Sequence, residues 1–421
     1  KVSGYDKTST ALTNLLEQEG IAVHFEDNLE LLDKEADVVV YTPAIPASHM
    51  ELNYYKENGF QLKKRSEVLG SITRETFNIC VAGTHGKTTT SAMIAHILRD
   101  TGFGCNAFLG GIAANYNTNF WSSEKNVCVA EADEYDRSFL QLSPDVAIIT
   151  AMDADHLDIY GDEKTMQDAF IQFTGKIKTG GLLISKKGLA RTDELMGSNK
   201  MTYSATDASA DIHTENIRIV NGSYVFDLVI HERILKDLEL NMGGMHNIEN
   251  VIAAIAVAVH LNIEEDKIKK AVSNFAGVKR RFEYVVKSID RIVIDDYAHH
   301  PEELRALIEG ARDLFPTKKC TLLFQPHLFS RTKDLADGFA EVLSLADETI
   351  LLPIYPAREL PMPGVSSQLL LDRMTNEKKS IKEKEEVLNW LKENDTELLI
   401  ISGAGDIDTL VEPIKQIVTE K

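Results

Sequence analysis

Val81-Ala-Gly-Thr-His-Gly-Lys-Thr-Thr-Thr90 separates an apolar run from a helical pattern that extends to about Asp100. A glycine-bearing loop between a buried strand and a helix directs backbone N–H groups and the positive helix end toward phosphate oxygens. Lys87 can neutralise phosphate charge, and Thr88 can ligate magnesium. The general pattern has another glycine five residues before Gly86, where this chain has valine. We therefore interpret the segment as a shortened phosphate loop; an ordinary strand-to-helix turn would not explain the Gly-Lys-Thr triplet.

On both sides of this loop, short apolar runs alternate with helical patterns, which is typical of parallel sheets built from βαβ units. The predicted fold class is therefore α/β. The chain has 421 residues, more than one ordinary domain of about 100 to 200 residues. We predict a Rossmann-like N-terminal domain, a central P-loop domain, and a C-terminal Rossmann-like α/β domain. Their predicted ranges are 1–73, 74–288 and 289–421.

The predicted elements of the central segment explain this division. Between 204 and 241 the apolar runs become short and alternating, which indicates an antiparallel excursion. A long apolar helix over 248–260 follows, and a strand at 291–294 starts a new βα series. The strands predicted before the excursion are 78–82, 126–130, 146–151 and 182–185.

Composition excludes several function classes. Lys and Arg total 45 against 65 Asp and Glu, a formal net charge of −20, which argues against a nucleic-acid or anionic-membrane surface. No stretch approaches the roughly 18 apolar residues of a membrane span. The first residues already resemble a strand, so we expect no signal peptide, and the lack of an initiator Met indicates that the true N-terminus is missing. Without a CxxC pair, we expect core thiols and a cytoplasmic location for Cys80, Cys105, Cys128 and Cys320.

Two acidic clusters follow predicted strands of the central segment, Glu131-Ala-Asp-Glu-Tyr-Asp136 and Met152-Asp-Ala-Asp-His-Leu-Asp158. The carboxyl ends of parallel strands line the ligand crevice, so both clusters should meet the nucleotide. Carboxylate oxygens suit magnesium, and His156 can complete a second metal site. A helix-capping or core role is the alternative for this histidine. We expect the other acidic residues of the first cluster to be solvated or to lie behind the direct ligands, namely Asp133, Glu134 and Asp136.

These segments resemble the Mur ligase family, whose central ATPase domains carry GTHGKT loops, an EADE strand end and a DxDH segment. The resemblance covers essentially the whole chain. Together, EADEYD, MDADHLD, DDYAHHP and FQPH look like the L-alanine-adding branch of that family. The later segments that carry the resemblance are Gly244-Met-His-Asn-Ile-Glu-Asn250, Gly277-Val-Lys-Arg-Arg-Phe282, Asp295-Asp-Tyr-Ala-His-His-Pro301, Phe324-Gln-Pro-His327 and Ser402-Gly-Ala-Gly-Asp406.

The resemblance implies an ADP-forming ligase with a UDP-sugar domain, an ATPase domain and an amino-acid domain. Its substrates would be UDP-N-acetylmuramic acid and L-alanine, with ATP and Mg2+ as cofactors, in peptidoglycan precursor synthesis. One alternative is the recycling ligase that attaches a whole peptide to the same UDP-sugar. Another is an ATPase or regulatory protein without ligase activity. The oligomeric state stays open, including a homodimer.

The resemblance also implies roles for individual residues. Catalysis is expected from Lys87, Glu131, His156 and Arg331. The ATP-binding residues would be Gly83, Thr84, His85, Gly86, Lys87, Thr88, Thr89, His246, Asn247, Asn250, Arg281 and Asp296. The metal ligands would be Thr88, Glu131 and His156. The residues facing the acyl phosphate and alanine, each with a structural alternative such as a turn before a helix, would be Tyr297, His299, His300, His327 and Arg331.

The chain departs from the family pattern in places. The family opens with a strand and a glycine-rich loop for the UDP pyrophosphate, and this chain starts after them. Leu328 follows His327 where the alanine-adding branch often has arginine, so that contribution must come from elsewhere, such as Arg331. Some sister ligases use a carbamylated lysine; Lys186 and Lys187 lie in that region of the sequence, and neither is assigned that role.

Overall fold

The computed structural model describes residues 1–153 and 157–421, which form three α/β units along the chain. The elements of the first unit are β1 (Ser3–Tyr5), α1 (Ala11–Gln18), β2 (Ala22–His24), β3 (Val39–Tyr41), α2 (Met50–Glu57), β4 (Leu62–Lys64) and α3 (Arg65–Glu75). Strand β1 pairs in parallel with β2, and β3 pairs in parallel with β4. Within the described residues these two ladders are not joined into one sheet. The boundary predicted at 73/74 falls inside α3.

The second unit contains the phosphate loop and the predicted antiparallel excursion. Its elements are β5 (Phe77–Ala82), α4 (Lys87–Asp100), β6 (Asn106–Ala113), β7 (Thr118–Trp121), β8 (Val127–Glu131), β9 (Val146–Ile149), α5 (Leu157–Tyr160), α6 (Glu163–Thr174), β10 (Leu182–Lys186), β11 (Asn199–Ser204), β12 (Ile212–Val220), β13 (Ser223–Ile230), β14 (Arg233–Leu240), α7 (Met245–His260) and α8 (Glu265–Asn274). The predicted strands and the long helix agree with these bounds to within three residues.

The strand order of the second unit explains where its ligand site lies. The described strands form one mixed sheet in the order β14-β13-β12-β11-β10-β9-β5-β8-β6-β7. Strand β5 pairs in parallel with β9 on one side and with β8 on the other. The carboxyl ends of these three strands therefore meet at one edge, beside the phosphate loop. The excursion is antiparallel, because β13 pairs in that sense with both β12 and β14.

The third unit repeats a mostly parallel arrangement. Its elements are β15 (Glu283–Lys287), β16 (Ile292–Asp296), α9 (Pro301–Leu314), β17 (Cys320–Phe324), α10 (Phe329–Asp334), α11 (Ala336–Leu343), β18 (Glu348–Leu351), α12 (Ser367–Leu371), β19 (Lys378–Ile381), α13 (Lys384–Glu393), β20 (Leu398–Ser402) and α14 (Val411–Glu420). The sheet order is β15-β16-β20-β17-β18-β19. The boundary predicted at 288/289 falls inside the antiparallel β15–β16 hairpin. Because β15 pairs only with β16 among the described strands, the third sheet starts at Glu283.

A continuous hydrophobic core joins the second unit to the third. One cluster of buried side chains extends from Ile79 of β5 to Ile400 of β20. At the surface of this junction, the hairpin residue Gly222 lies against the Phe315 ring, where an added Cβ would collide. The Tyr284 hydroxyl donates to the Gly222 carbonyl at 3.3 Å. The two sheets therefore share apolar packing as well as a covalent connection.

The cysteines and the described helices can be compared with the predictions made from composition. Every cysteine is a free, buried thiol, as expected for core residues. Among the described helices, none has the length and apolar character needed to cross a bilayer.

Candidate active site

The phosphate loop is held tightly between the end of β9 and the start of α7. Gly83 has φ +144°, and Gly86, which precedes α4, has φ +80°. A Cβ on Gly83 would collide with the Thr150 hydroxyl, and one on Gly86 would lie 2.6 Å from Asn250 Oδ1. Both the positive φ angles and the lack of space require glycine here. The loop therefore delivers its backbone N–H groups and Lys87 to a fixed place at the sheet edge.

Lys87 forms a buried ion pair that joins the phosphate loop to the segment after β8. Its Nζ donates to Glu134 Oε1 at 2.8 Å and to the Gly83 carbonyl at 2.7 Å. Glu134 is fully buried, so of the two expected positions, in solvent or behind the direct ligands, it takes the second. Its position behind Lys87 is explained by the Tyr160 hydroxyl, which donates to the Glu134 carbonyl at 2.6 Å. A bound phosphate would share or replace these partners of Lys87.

Thr88 and Glu131 form a second contact beside the loop. The Thr88 hydroxyl donates to Glu131 Oε1 at 2.9 Å, and the Gly110 N–H donates to Oε2 at 2.9 Å. Burial raises the pKa of Glu131, while Thr88 and the Lys87 charge act in the opposite direction. Adjacent hydroxyl and carboxylate oxygens are the donors that magnesium prefers. The pair therefore fits the predicted metal site.

The rest of the predicted metal site is incomplete in the described chain. Residues 1–153 and 157–421 contain no group of three His, Cys, Asp or Glu side chains that could hold a metal by themselves. His156, the third predicted ligand, lies outside the described residues. Magnesium bound by Thr88 and Glu131 would take its other ligands from water and phosphate oxygens, as is usual for this ion.

The remaining loop residues differ in exposure. Thr84 and Thr89 are buried, whereas His85 is exposed. The Thr84 N–H donates to the Ala151 carbonyl at 3.2 Å, and the Thr150 hydroxyl donates to the His85 carbonyl. These bonds join the phosphate loop to the end of β9, where the second acidic cluster begins.

The residues predicted to border adenine lie at the start of α7. Asn250 Oδ1 accepts from the Thr90 hydroxyl at 3.1 Å, and Asn250 Nδ2 donates to Asn247 Oδ1 at 3.1 Å. Asn247 Nδ2 in turn donates to the Gly243 carbonyl at 2.7 Å. Both asparagines are buried, and His246 is exposed. The asparagines join α4 to α7, so their contact with adenine stays a prediction.

Arg281 and Asp296 lie between the second and third units. Asp296 accepts the Phe282 N–H and the Ala298 N–H, each at 2.7 Å. Burial raises the pKa of Asp296 to about 6, and the nearby Arg281 charge opposes that rise. The same Arg281 charge acts on Glu131. The Arg281 charge therefore acts on both Glu131 and Asp296, and the Asp296 carboxylate is hydrogen-bonded to backbone N–H groups.

Next to Arg281 and Asp296 lies a buried carboxylate that the sequence prediction did not single out. Asp295 is 2% exposed, and its Oδ2 lies 3.6 Å from Arg280 Nε. Arg280 also donates to the Gly403 carbonyl and lies 3.6 Å from Asp408. Burial raises the pKa of Asp295 to about 7, with Arg280 acting against the rise. This cluster holds the start of the third unit to the loop after β20.

An aromatic row crosses the carboxyl edge of the third sheet. The Arg280 guanidinium lies 5.0 Å from the Tyr297 ring centroid. Tyr297 and His299 are 5.3 Å apart, His299 and His327 are 6.1 Å apart, and His327 and Tyr355 stack at 5.8 Å. The structure therefore brings together three of the residues predicted to face the substrate.

His300 has a different position. It is the N-cap of α9, and its Nδ1 accepts the Glu302 N–H at 3.4 Å. The Glu303 carboxylate accepts the His300 N–H at 3.1 Å, which completes a capping box. These contacts match the structural alternative of a turn before a helix.

Arg331 and its neighbours carry polar atoms without partners. Within the described residues, no group hydrogen-bonds Arg331 Nη1, His327 Nδ1 or Gln325 Oε1, although all three atoms are buried. Burial lowers the pKa of His327, and the charges of Arg331 and His299 act in the same direction. A neutral imidazole beside an unpartnered guanidinium N–H suits a small ligand that carries a carboxylate.

Known protein families match the chain in three consecutive segments. The first is "Mur ligase family, catalytic domain" over 1–76. The second is "Mur ligase middle domain" over 81–258, and the third is "Mur ligase, glutamate ligase domain" over 280–405. The chain belongs to the Mur ligase family. The predictions of family and fold class are thus confirmed.

Individual relatives are similar to this Mur ligase over its whole length. The UDP-N-acetylmuramate–L-alanine ligase of Flavobacterium johnsoniae is 49% identical over 424 residues, which cover 100% of this chain and 93% of the relative. The enzyme of the same name from Parabacteroides distasonis is 47% identical over 428 residues, covering 100% and 92%. Among solved structures, the UDP-N-acetylmuramate–alanine ligase of Thermotoga maritima aligns with a TM-score of 0.81 at 26% identity, covering 100% and 92%.

A murein peptide ligase from Psychrobacter arcticus also aligns with this Mur ligase. Its TM-score is 0.64 at 21% identity, covering 100% of this chain and 94% of the other. At this identity the likeness shows a shared fold alone.

Sequence reasoning about this Mur ligase missed some residues of the two sites. Glu134 lies in a motif that the sequence revealed, but its pairing with Lys87 needed the three-dimensional arrangement. Tyr355 and Glu359 follow β18. The rule applied to the central strands, that polar residues after a parallel strand line a ligand crevice, would have identified Tyr355. Glu359 lies farther along the loop, where that rule gives no signal.

Proposed function

We propose that this Mur ligase joins L-alanine to the carboxylate of UDP-N-acetylmuramic acid and converts ATP to ADP and phosphate, in peptidoglycan precursor synthesis. The observation that carries the proposal is the set of relatives with this activity in their names, which are 47% to 49% identical over the full chain. The peptide-recycling alternative is less favoured, because the corresponding structure aligns with a lower TM-score, 0.64 against 0.81.

The first chemical step activates the sugar carboxylate, since a carboxylate does not react with an amine at neutral pH. A carboxylate oxygen forms a bond to the γ-phosphorus of ATP, and the bond from that phosphorus to the ADP oxygen breaks. Lys87 and the loop N–H groups stabilise charge on the transferring phosphoryl group. Glu134 supports this role, because a buried carboxylate 2.8 Å from Nζ holds the ammonium group in one position.

Thr88 and Glu131 would hold Mg2+ at the end of the loop. When bound, the ion neutralises charge on the phosphate oxygens. The 2.9 Å contact between the two side chains supports this assignment, because both oxygens already point to a common place. Deprotonated Glu131 is the form that binds a cation, and metal binding opposes the rise in its pKa.

The second step forms the amide bond in the third unit. The alanine nitrogen bonds to the acyl carbon, the carbon–oxygen bond to phosphate breaks, and the nitrogen loses a proton. The unpartnered Arg331 N–H supports a role in binding the alanine carboxylate. The lowered pKa of His327 supports a neutral imidazole that can accept a proton.

We also propose a cytoplasmic location, since the buried free thiols suit a reducing compartment. A homodimer remains a proposal that size-exclusion chromatography with light scattering would test.

The decisive experiment measures phosphate release with UDP-N-acetylmuramic acid, ATP and Mg2+, with and without L-alanine. It is run on this chain and on a version preceded by the opening strand and glycine-rich loop of the family. Alanine-dependent release in either protein supports the proposal. Release that depends on a tripeptide indicates the recycling ligase, and release that ignores every amine indicates an ATPase without ligase activity.

A further inference from the structure

The connection between β18 and α12 is a long loop, residues 352–366. Backbone hydrogen bonds join this loop to the segment before α10. The Leu328 N–H donates to the Tyr355 carbonyl at 3.0 Å, and the Tyr355 N–H donates to the Pro326 carbonyl at 2.8 Å. A connection of this length without regular structure is uncommon inside a compact domain and usually has a function. Leu360, near its middle, is 84% exposed, so apolar packing does not hold that part of the loop in place.

A side-chain contact fastens the same loop at a second point. Glu359 Oε2 accepts the Ser330 N–H at 3.0 Å, and Oε1 accepts the Ser330 hydroxyl. These bonds lower the pKa of Glu359, so the carboxylate is charged at neutral pH. Because Ser330 is in the first turn of α10, the carboxylate also lies at the positive end of that helix.

The segment that these contacts hold is strained. Leu328 has φ +70° and ψ 135°, and a positive φ is unfavourable for an L-residue other than glycine. Hydrogen bonds keep it there on both sides, because its carbonyl also accepts the Thr332 N–H at 3.1 Å and the Thr332 hydroxyl at 2.7 Å. Leu328 lies between His327 and the α10 turn that carries Arg331. Its conformation therefore sets the relative positions of those two side chains.

Arg331 depends on this backbone support. Its Nη1 has no hydrogen-bond partner among the described residues, so the position of α10 determines where that nitrogen points. The negative charge of Glu359 also acts on His327. It raises the pKa of that imidazole, whereas the Arg331 charge lowers it. One carboxylate thus influences both groups that face the small ligand of the third unit.

We propose that Glu359 is a positioning residue for the amino-acid substrate. Through Ser330 it fixes the first turn of α10 and so directs Arg331 and His327 toward the substrate carboxylate and amine. This inference rests on the proposed function, because it assigns an amino acid to that site. It requires that losing the Ser330–Glu359 contact weakens amino-acid binding while ATP binding, in a different unit, is preserved.

The test compares steady-state kinetics of Glu359→Gln, Ser330→Ala and the double variant, with Glu393→Gln on the exposed side of α13 as the matched control. We expect each single change to raise KM for L-alanine about ten-fold, as for the loss of one charge-assisted hydrogen bond. KM for ATP should stay within about two-fold, because no ATP-binding contact is removed. The effects in the double variant should be less than additive, since both changes weaken the same Ser330–Glu359 contact, although Ser330→Ala leaves the backbone N–H bond in place. Glu359→Asp should recover part of the loss.

Thermal unfolding of the same proteins separates positioning from general support of the fold. If wild-type turnover depends on alanine and Glu359→Gln has the same KM for alanine, this inference is overturned and the proposed function is not. A parallel loss of stability and of all kinetic constants would overturn it as well, because the residue would then be purely structural. Wild-type turnover that ignores every amino acid would refute the proposed function and this inference together.

Discussion

The phosphate-loop site and the site of the third unit both lie at the carboxyl ends of parallel strands, but their polar groups are paired differently. In the loop site, Lys87 has Glu134 as a partner and Thr88 has Glu131. In the third-unit site, buried nitrogens of Arg331 and His327 have no partner within the described chain.

This difference shows how the two sites are held in place before ligands bind. A paired site keeps its geometry through its own hydrogen bonds, so removing one partner leaves a buried charge and lowers stability. An unpaired site depends on backbone and on neighbouring loops for its geometry. Removing its unpaired group should reduce ligand affinity with little effect on the fold.

The largest expected effect is the loss of Lys87. Lys87→Ala should lower kcat on the order of 10² to 10³, as for the removal of one donor that stabilises a transition state. It should also reduce the free energy of unfolding by about 3 to 5 kcal/mol, because Glu134 is left buried and charged. Phosphate release and denaturant unfolding measure the two quantities.

Adding Glu134→Gln to Lys87→Ala should restore stability but not turnover, which separates the two roles of the pair. The exposed Lys176→Ala serves as the control for charge removal in the same unit. Near-normal kcat in Lys87→Ala would contradict the assignment of the loop as the phosphate site.

Arg331→Ala should have the next largest effect. It should raise KM for L-alanine and leave the stability of the fold nearly unchanged. Loss of a charge-assisted bond to the alanine carboxylate predicts a rise in KM of about ten-fold to one hundred-fold. The melting temperature should be nearly unchanged, because no partner of Nη1 is lost. Arg305→Ala, which breaks an exposed ion pair with Glu341, is the matched control. A stability loss as large as that of Lys87→Ala would remove the contrast between the sites.

Thr88→Ala should have a smaller effect, which is a rise in the Mg2+ concentration needed for turnover. Without the hydroxyl, Mg2+ loses one inner oxygen ligand. We expect the Mg2+ concentration for half-maximal turnover to rise about ten-fold, within the range for disrupted metal sites. Thr101→Ala, at the far end of the same helix, should leave that concentration unchanged. Titration of activity with MgCl2 measures the effect, and equal curves for both variants would argue against Thr88 as a ligand.

The last of these predictions concerns Asp295 and the pH dependence of stability. Its pKa rises from the ordinary value of 3.8 to about 7 in the folded protein, so the folded state binds more protons than the unfolded chain between these values. The contribution of Asp295 to the free energy of unfolding therefore falls as pH increases through this window and is constant above it. Asp295→Asn should remove this slope. Urea unfolding at several pH values measures it, and identical slopes in both proteins would contradict the raised pKa.

The sequence was sufficient for much of the fold and for the phosphate loop. The alternation around Val81 and the Gly-Lys-Thr triplet predict a strand, loop and helix that the structure contains. Local pattern could not reveal the Lys87–Glu134 pair, because it depends on how far the segment after β8 folds back toward the loop. The third sheet begins before the predicted boundary at 288/289, because membership of β15 in a sheet is decided by pairing with β16, which local pattern does not reveal.

The third-unit site was partly accessible from sequence. Its histidines lie in the quoted motifs and Arg331 was predicted from the family resemblance. Glu359 lies outside any motif and reaches Ser330 only because the loop after β18 folds back. His300 illustrates the opposite case, because its place before Pro301 already indicated a helix cap.

The shared core between the second and third units also determines how the protein should melt. Buried side chains from β5 to β20 belong to one continuous cluster, so neither sheet can lose its packing without exposing the other. Calorimetry should accordingly record a single cooperative transition for these two sheets. The separate ladders of the first unit, with their short strands, should exchange their amide hydrogens well before that transition.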